Sequence, residues 1–413
     1  MRSHQFKFLL GGLAILLALL ACSTASPATA TLKPAADTAT SISATNPATA
    51  PATVLPTDQT ATNTATAIPA TATATVVPLP LAASPAIQTL DMLDANNGWA
   101  LTDTSVVRTM DGGATWYNAT PASLDGAPAR PFFLDTSTAW LSVGAGDTTT
   151  GTLYHTTDGG VTWTSTTVPF VGGSLQFIDP MNGWDLVGLS AGMSHEAVAI
   201  FRTSDGGATW SQIFTDDPNA SGTSDSLPLV GDKNGITVLD LSHAWVTGAE
   251  PEDNLIYVYA SQDGGSTWSL QNLSLPSDYS GAMTGPSQPV FFGTSQAVLP
   301  VQLFANNAGT DFYVSHDGGQ SWSASTPVPQ SGFVSAGSAT DFFVWDGGPT
   351  LSASHDGGAS WSTIAPNVNI KENMDSMQFI NGSTGWAITI DANDHRMLYK
   401  TMDGGATWNV LIS

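Results

Sequence analysis

Seven aspartates recur along the 413-residue chain, and each begins the same turn, Asp-Gly-Gly-x-Thr/Ser-Trp. Carboxylates can serve acid–base catalysis or hold a metal ion. Seven identical turns cannot all form one active site, however, and an aspartate in a glycine turn accepts hydrogen bonds from nearby backbone amides. We therefore predict a structural role for these aspartates and for the tryptophans that end the turns. The pairs are Asp111 and Trp116, Asp158 and Trp163, Asp205 and Trp210, Asp263 and Trp268, Asp317 and Trp322, Asp356 and Trp361, and Asp403 and Trp408.

Other catalytic patterns are weak. A glycosidase needs two carboxyl groups at a defined separation, but the chain has only four glutamates and no spacing singles out a pair. The acidic segments 216–217 and 391–394 offer oxygen ligands for Ca²⁺, although such segments are usually solvated loops. A phosphate-binding glycine loop, a His/Cys metal cluster and a nucleophile elbow are absent from the sequence. We predict no catalytic residue, no metal ion and no cofactor, with a glycosidase as the alternative.

Basic and aromatic residues fall mostly in register with the aspartates. Four of them, Arg108, His155, Arg202 and Lys400, stand three residues before an aspartate, and twelve of the thirteen tryptophans occupy repeated positions. Six residues lie off register, in segments that vary between repeats, and are our candidate binding residues because exposed Trp and Arg often anchor interfaces. They are Trp345, Arg130, His195, Glu196, His395 and Arg396. For Trp345, packing beneath its own short turn is the alternative.

The spacing of the turns predicts the elements that position these residues. Successive aspartates are 47, 47, 58, 54, 39 and 47 residues apart, a length that suits four short strands per repeat. A second landmark precedes each turn: a tryptophan at Trp99, Trp140, Trp184, Trp245 and Trp386, replaced by Val298 and Phe342 in the fifth and sixth repeats. The unit is strand a, turn, strand b with Trp, loop, strand c, Asp-Gly-Gly turn, strand d. We predict an all-β, seven-bladed propeller with four-stranded antiparallel blades.

In such blades the a–b and c–d turns share one face, and the b–c and d–a loops share the other. The turns are short and repeat, whereas the loops vary, and variable loops on a rigid scaffold are where binding residues concentrate. We therefore expect function on the loop face. The closure of the ring stays open between two possibilities: residues 408–412 complete the last blade, or residues 76–81 add an edge strand elsewhere.

The amino terminus has a different composition. Residues 1–21 combine Arg2 and Lys7 with an apolar run and end before Cys22, the only cysteine. The sequence Leu19-Leu20-Ala21-Cys22 resembles a bacterial lipobox, which implies cleavage, lipidation of Cys22 and a location on the outer face of a bacterial cell membrane; an ordinary secretory signal is the alternative. Residues 22–82 are rich in Ala, Thr and Pro and predict a disordered linker. Residues 83–413 form the predicted propeller.

The repeat resembles the Asp-box, or bacterial-neuraminidase-type, repeat. With its Asn-Gly-Trp landmark, as at Asn97-Gly98-Trp99, it is similar to the photosystem II assembly-factor propellers. That resemblance implies a scaffold for protein binding. Sialidases of related fold bind a carboxylate with three arginines, but after cleavage of the leader only four arginines remain and two of these are in register. We predict a non-catalytic binding or assembly scaffold; an extracellular glycoside hydrolase or a glycan-binding protein of sialidase-like fold is the alternative.

The charge limits the partners. The formal net charge is −24, which argues against nucleic acid because phosphate neutralisation needs clustered Lys and Arg. It also argues against adhesion to anionic lipid. We expect a monomer that meets the membrane only through its lipid anchor and binds a protein or glycan through the b–c and d–a loops.

Overall fold

A computed structural model describes residues 78–124, 129–144, 149–192, 195–250, 252–305 and 308–412. These residues form a seven-bladed β-propeller of antiparallel sheets. The other structured element is a single 3₁₀ turn at Ser277–Tyr279. Cys22 and the predicted leader and linker up to residue 77 lie outside the described residues.

Blade I contains β1 (Leu81–Ala82), β2 (Thr89–Met92), β3 (Gly98–Leu101), β4 (Val106–Thr109) and β5 (Trp116–Asn118). Blade II contains β6 (Ala129–Phe133), β7 (Ala139–Val143), β8 (Gly151–Thr156) and β9 (Thr164–Val168). Blade III contains β10 (Ser174–Phe177), β11 (Gly183–Gly192), β12 (His195–Thr203) and β13 (Ser211–Thr215). Blade IV contains β14 (Asp232–Val238), β15 (Ala244–Ala249), β16 (Val258–Ser261) and β17 (Ser269–Leu270).

Blade V contains β18 (Met283–Pro286), β19 (Val290–Phe292), β20 (Gln296–Phe304), β21 (Gly309–Ser315) and β22 (Ser323–Ala324). Blade VI contains β23 (Phe333–Ala336), β24 (Phe342–Trp345), β25 (Leu351–Ser354) and β26 (Ser362–Ile364). Blade VII contains β27 (Met374–Phe379), β28 (Gly385–Ile390), β29 (Arg396–Thr401) and β30 (Asn409–Ile412).

The four-strand repeat is confirmed, with two departures. In blade V strand a is split, and both β18 and β19 pair with β20. In blade I the extra strand β1 pairs with the outermost strand β5, with Leu81 opposite Tyr117 and Ala82 opposite Trp116. Both closure possibilities therefore hold in part: β30 completes blade VII, and residues near Leu81 add an edge strand to blade I.

The core is divided among the contacts between blades. Seven clusters of buried apolar side chains each join two neighbouring blades, the last joining blade VII to blade I. The landmark tryptophans of strand b lie in these contacts. In three blades the indole N–H reaches a backbone oxygen of the next blade: Trp99 to Asp135 at 3.0 Å, Trp140 to Gly206 at 2.9 Å, and Trp386 to Gly112 at 2.9 Å. The last of these bonds closes the ring.

The basic residues in register cover these tryptophans. The guanidinium groups of Arg108 and Arg202 lie 5.5 and 4.6 Å from the ring centroids of Trp99 and Trp184. His155 stacks on Trp140, and the Lys400 ammonium lies over Trp386. These four side chains thus stack on the tryptophan of the neighbouring strand, which is a structural role.

Each Asp-Gly-Gly turn is tied to its own blade. In the first, the Asp111 carboxylate accepts hydrogen bonds from the Thr115 backbone N–H at 2.8 Å and from the Thr115 hydroxyl at 2.5 Å. The buried Thr109 hydroxyl donates to the same carboxylate. The Gly112 N–H donates to Asn96 in the a–b turn at 2.7 Å. In the other six turns the aspartate carboxylate likewise accepts the backbone N–H of the residue four positions later, at distances of 2.8–2.9 Å.

Candidate functional site: a cavity on the loop face

The two faces of the propeller differ in the length of the connections between strands. On the face of the a–b and c–d turns, every blade ends in the same pair of cross-tied turns. On the loop face, the β11–β12 hairpin of blade III and the β20–β21 hairpin of blade V are longer than their counterparts. Their ends expose Leu189 and Phe304. The longest strands therefore flank blade IV on the face where the sequence predicted function.

A polar cavity of about 560 Å³ lies beside the β11–β12 hairpin, where the innermost strands of blades II, III and IV begin. We call it the mouth cavity. Its lining includes the side chains of Arg130, Ser174, Asn234 and Gln288. Four glycines also line it; these are Gly172, Gly173, Gly188 and Gly235.

Arg130 is exposed on β6 at the edge of this cavity. Among the residues that the structure describes, it is the only Lys or Arg that makes no hydrogen bond, ion pair or ring contact. The other six are engaged: three stack on tryptophans, Lys233 is buried, Lys371 pairs with Asp346 and Arg396 pairs with Asp375. Its guanidinium is therefore available to an anionic group.

A carboxyl group that the sequence analysis missed lies directly beneath the cavity. Asp185 on β11 is fully buried, and neither carboxylate oxygen has a hydrogen-bond partner among the described residues. A Cβ on Gly173, which lines the cavity, would collide with this carboxylate. Burial raises the pKa of Asp185 well above its usual value, while the nearby charge of Arg130 lowers it in part. The site therefore disfavours the ionised form of this acid.

The register of the repeats could have identified Asp185. It follows the strand-b tryptophan, and the equivalent position in the other six blades is apolar. Those residues are Ala100, Leu141, Val246, Leu299, Phe343 and Ala387. Asp185 is thus the one acidic residue at a strand position that is apolar in the other six blades. It lies inside a predicted core strand, whereas the candidate binding residues were sought in loops.

Glu196 and Lys233 form one wall of the cavity. The Lys233 backbone N–H donates to the Glu196 carboxylate at 2.5 Å, and the Lys233 ammonium donates to the Glu196 backbone oxygen at 2.6 Å. The buried Lys233 ammonium lies 3.4 Å from the Asp216 carboxylate. Burial lowers the pKa of Lys233 and raises that of Asp216 despite their attraction. This network fixes the long loop between blades III and IV against the β11–β12 hairpin, so Glu196 contributes to the wall.

The remaining predicted residues are not brought together. His195 is exposed at the start of β12 and bridges Gly231. His395 pairs with Asp391, and Arg396 pairs with Asp375, on blade VII, away from the lining of the mouth cavity. Of the six candidates, only Arg130 and Glu196 line this cavity.

The proposed interface role of Trp345 is wrong. Its side chain is fully buried at the end of β24 and stacks on Trp408 at a centroid distance of 5.1 Å. Its indole N–H donates to the Gly348 backbone oxygen at 2.9 Å. The alternative, packing beneath the short turn that follows, describes this residue correctly, because a buried ring cannot anchor a partner.

The acidic segments have partners within the chain. Asp216 pairs with Lys233, and the Asp391 carboxylate accepts the backbone N–H groups of Asn393 and His395. Within the described ranges, no group of three or more His, Cys, Asp or Glu side chains could hold a metal ion. No helix in the described part of the chain is long and apolar enough to cross a membrane.

Comparisons with known proteins agree with the fold. Residues 313–324, which include the Asp317 turn, match the model of the BNR/Asp-box repeat. A search of curated proteins gave no significant match. Among solved structures, "YCF48 bound to D1 peptide" is similar at 17% sequence identity and a TM-score of 0.50, covering 79% of this chain and 95% of that one.

Carbohydrate-active enzymes share the same architecture. A xyloglucanase from Xanthomonas campestris is 15% identical with a TM-score of 0.55; the alignment covers 81% of this chain but only 56% of the enzyme. An oligogalacturonate lyase from Vibrio parahaemolyticus is 8% identical with a TM-score of 0.51, covering 78% of this chain and 91% of the lyase. At these identities the likeness shows the fold alone.

Proposed function

We propose that this protein is a surface lipoprotein whose propeller acts as a non-catalytic scaffold and binds a protein or glycan through its loop face. One observation carries the proposal: the mouth cavity, with the unengaged Arg130 at its edge, lies on the face where the blades differ. On the turn face, by contrast, the repeated carboxylates are engaged within their own turns. Lipidation of Cys22, with residues 22–82 as a tether, would hold this scaffold at the outer face of the cell membrane.

A protein partner is supported by the similar structure of YCF48, which is bound to a D1 peptide. This chain covers nearly all of that propeller, so the whole of that fold is available here. The photosystem II assembly-factor resemblance of the repeat points the same way. If the partner is a protein, we propose that the propeller helps to assemble a membrane protein complex.

A hydrolase or glycan-binding protein is the second candidate, and the xyloglucanase and the oligogalacturonate lyase favour it. This chain spans little more than half of the xyloglucanase. The mouth cavity contains one carboxylate, that of Glu196, and it accepts the Lys233 N–H in the wall. A two-carboxylate mechanism has no such pair in this cavity.

The test compares matched substitutions on the two faces of the mature protein. Phe304→Asp places a charge on an exposed apolar residue of the loop face, and Met402→Asp does the same on the turn face. We expect Phe304→Asp to abolish the capture of a partner from membrane and cell-wall fractions, and Met402→Asp to retain it. The reverse pattern would contradict a loop-face scaffold. Turnover of a polysaccharide that is lost on substitution of one loop aspartate would favour the hydrolase.

A further inference from the structure

The mouth cavity has the lining of a site for a small polar ligand. Its volume lies in the range typical of such sites, and Ser174, Asn234 and Gln288 supply hydroxyl and amide groups. Four glycines allow a ligand to approach the backbone closely. Hydroxyl groups on a ligand would find both donors and acceptors here, whereas apolar side chains of a peptide would find few apolar partners.

Arg130 gives the cavity an exposed and unpaired positive charge, whereas the Glu196 carboxylate already accepts the Lys233 backbone N–H in the wall. A guanidinium presents donors in a planar fork that matches a carboxylate with two parallel hydrogen bonds. In a chain with a net charge of −24, long-range attraction to an acidic ligand is absent. Recognition of an anion must therefore come from a local contact, and Arg130 is the basic residue that remains available at this cavity.

Asp185 explains why that charge stays available. Ionisation of a buried carboxyl group without hydrogen bonds is costly, and burial accordingly raises the pKa of Asp185. A neutral Asp185 leaves the positive charge of Arg130 uncompensated, whereas an ionised one would compete with the carboxylate of a ligand. Asp185 takes no direct part in binding, because it lies beneath the cavity and is separated from it by Gly173, which has no side chain.

We propose that the mouth cavity binds a carboxylate-bearing saccharide, with Arg130 paired to the carboxylate and the amide and hydroxyl side chains bonded to the sugar hydroxyls. This inference rests on the proposed function, because it names the ligand class of the loop face. It predicts that a uronic acid unit is recognised and that a neutral sugar of similar size is not.

The test measures binding of trigalacturonate to the full mature protein by calorimetry, beside its methyl ester, cellotriose and an acetylated tripeptide with a free carboxyl terminus. We expect trigalacturonate alone to bind. Arg130→Gln should weaken this binding by about tenfold or more, since it removes a charge-assisted pair. Asp185→Asn, a neutral isostere, should retain wild-type affinity.

Lys371→Gln is the control, because it removes an equal charge from an exposed lysine that is paired with Asp346; it should bind trigalacturonate as the wild type does. Thermal melting of each variant separates binding from folding. Equal binding of the methyl ester, or unchanged affinity in Arg130→Gln, would overturn the carboxylate inference while leaving a loop-face scaffold intact. Binding of the tripeptide alone would overturn the saccharide class. Loss of affinity in Asp185→Asn would contradict the neutral role of Asp185.

Discussion

The turn face and the loop face are built from the same seven repeats, but they place carboxylates in opposite environments. On the turn face, each aspartate accepts hydrogen bonds from its own turn, and these bonds lower its pKa, to about 2 for Asp317 and Asp356. In the half of each blade nearer the loop face, burial raises the pKa of Asp185, Asp216 and Asp311. The repeated turn aspartates are stabilised in their ionised form. Asp185, Asp216 and Asp311 do not recur between blades, and each is buried where ionisation costs free energy.

This difference separates architecture from function. A residue that recurs in every blade has to satisfy its own hydrogen bonds, because every copy must fold. A residue that appears once can carry an energetic cost that the rest of the fold offsets. Asp185 has that character: six blades have an apolar residue at its position, and among the described residues it alone is a buried acid without a hydrogen-bond partner.

The largest expected effect is at Trp345, which is singular in sequence but belongs to the core. Trp345→Ala would remove a fully buried ring that stacks on Trp408, and such truncations typically cost about 3–5 kcal/mol. Chemical denaturation should show a correspondingly lower midpoint. The exposed Arg130→Ala serves as the control and should unfold as the wild type does. A wild-type midpoint for Trp345→Ala would mean that the ring is not part of the contact between blades VI and VII.

A smaller effect is expected from Asp311, an acid buried near the start of β21 whose pKa burial raises to about 6. Because the folded state holds its proton more tightly than the unfolded chain, its contribution to stability is present below pH ~4 and is lost as the pH rises to ~6. The shift corresponds to about 3 kcal/mol. Asp311→Asn should therefore flatten the fall in melting temperature between pH 4 and pH 7.

The turn aspartates should act in the opposite direction. Their pKa values are lowered, so the stability that they contribute is present above the ordinary aspartate pKa and is lost as the pH falls towards 2. Asp317→Asn should change the acid limb of the stability curve and leave the slope between pH 4 and 7 unchanged. Identical pH profiles for Asp311→Asn and Asp317→Asn would remove the distinction between the two halves of the blade.

The fold was predictable because its signals repeat. Seven copies of the Asp-Gly-Gly turn and the strand-b tryptophan specify the blade, and the seven apolar clusters between blades follow from them. The site was less predictable, because it depends on contacts between blades that the sequence order does not show. Arg130 and Glu196 were identified as singular loop residues. Trp345 was misassigned, because its burial depends on Trp408, more than sixty positions away, and Asp185 was missed, because it lies inside a strand.

The smallest expected effect tests whether Asp185 costs stability. Asp185→Ala introduces the residue that blades I and VII have at the equivalent position, Ala100 and Ala387. Removing a buried carboxyl group without a hydrogen bond should raise the free energy of unfolding by about 1 kcal/mol at neutral pH, after the loss of its packing atoms is subtracted. Denaturant titration at pH 7 measures this difference, and Asp185→Asn, which keeps an unpartnered polar group, should gain less. A loss of stability in Asp185→Ala would show that the acid is a satisfied structural residue like those of the turns, and the contrast between the two faces would not extend to the floor of the mouth cavity.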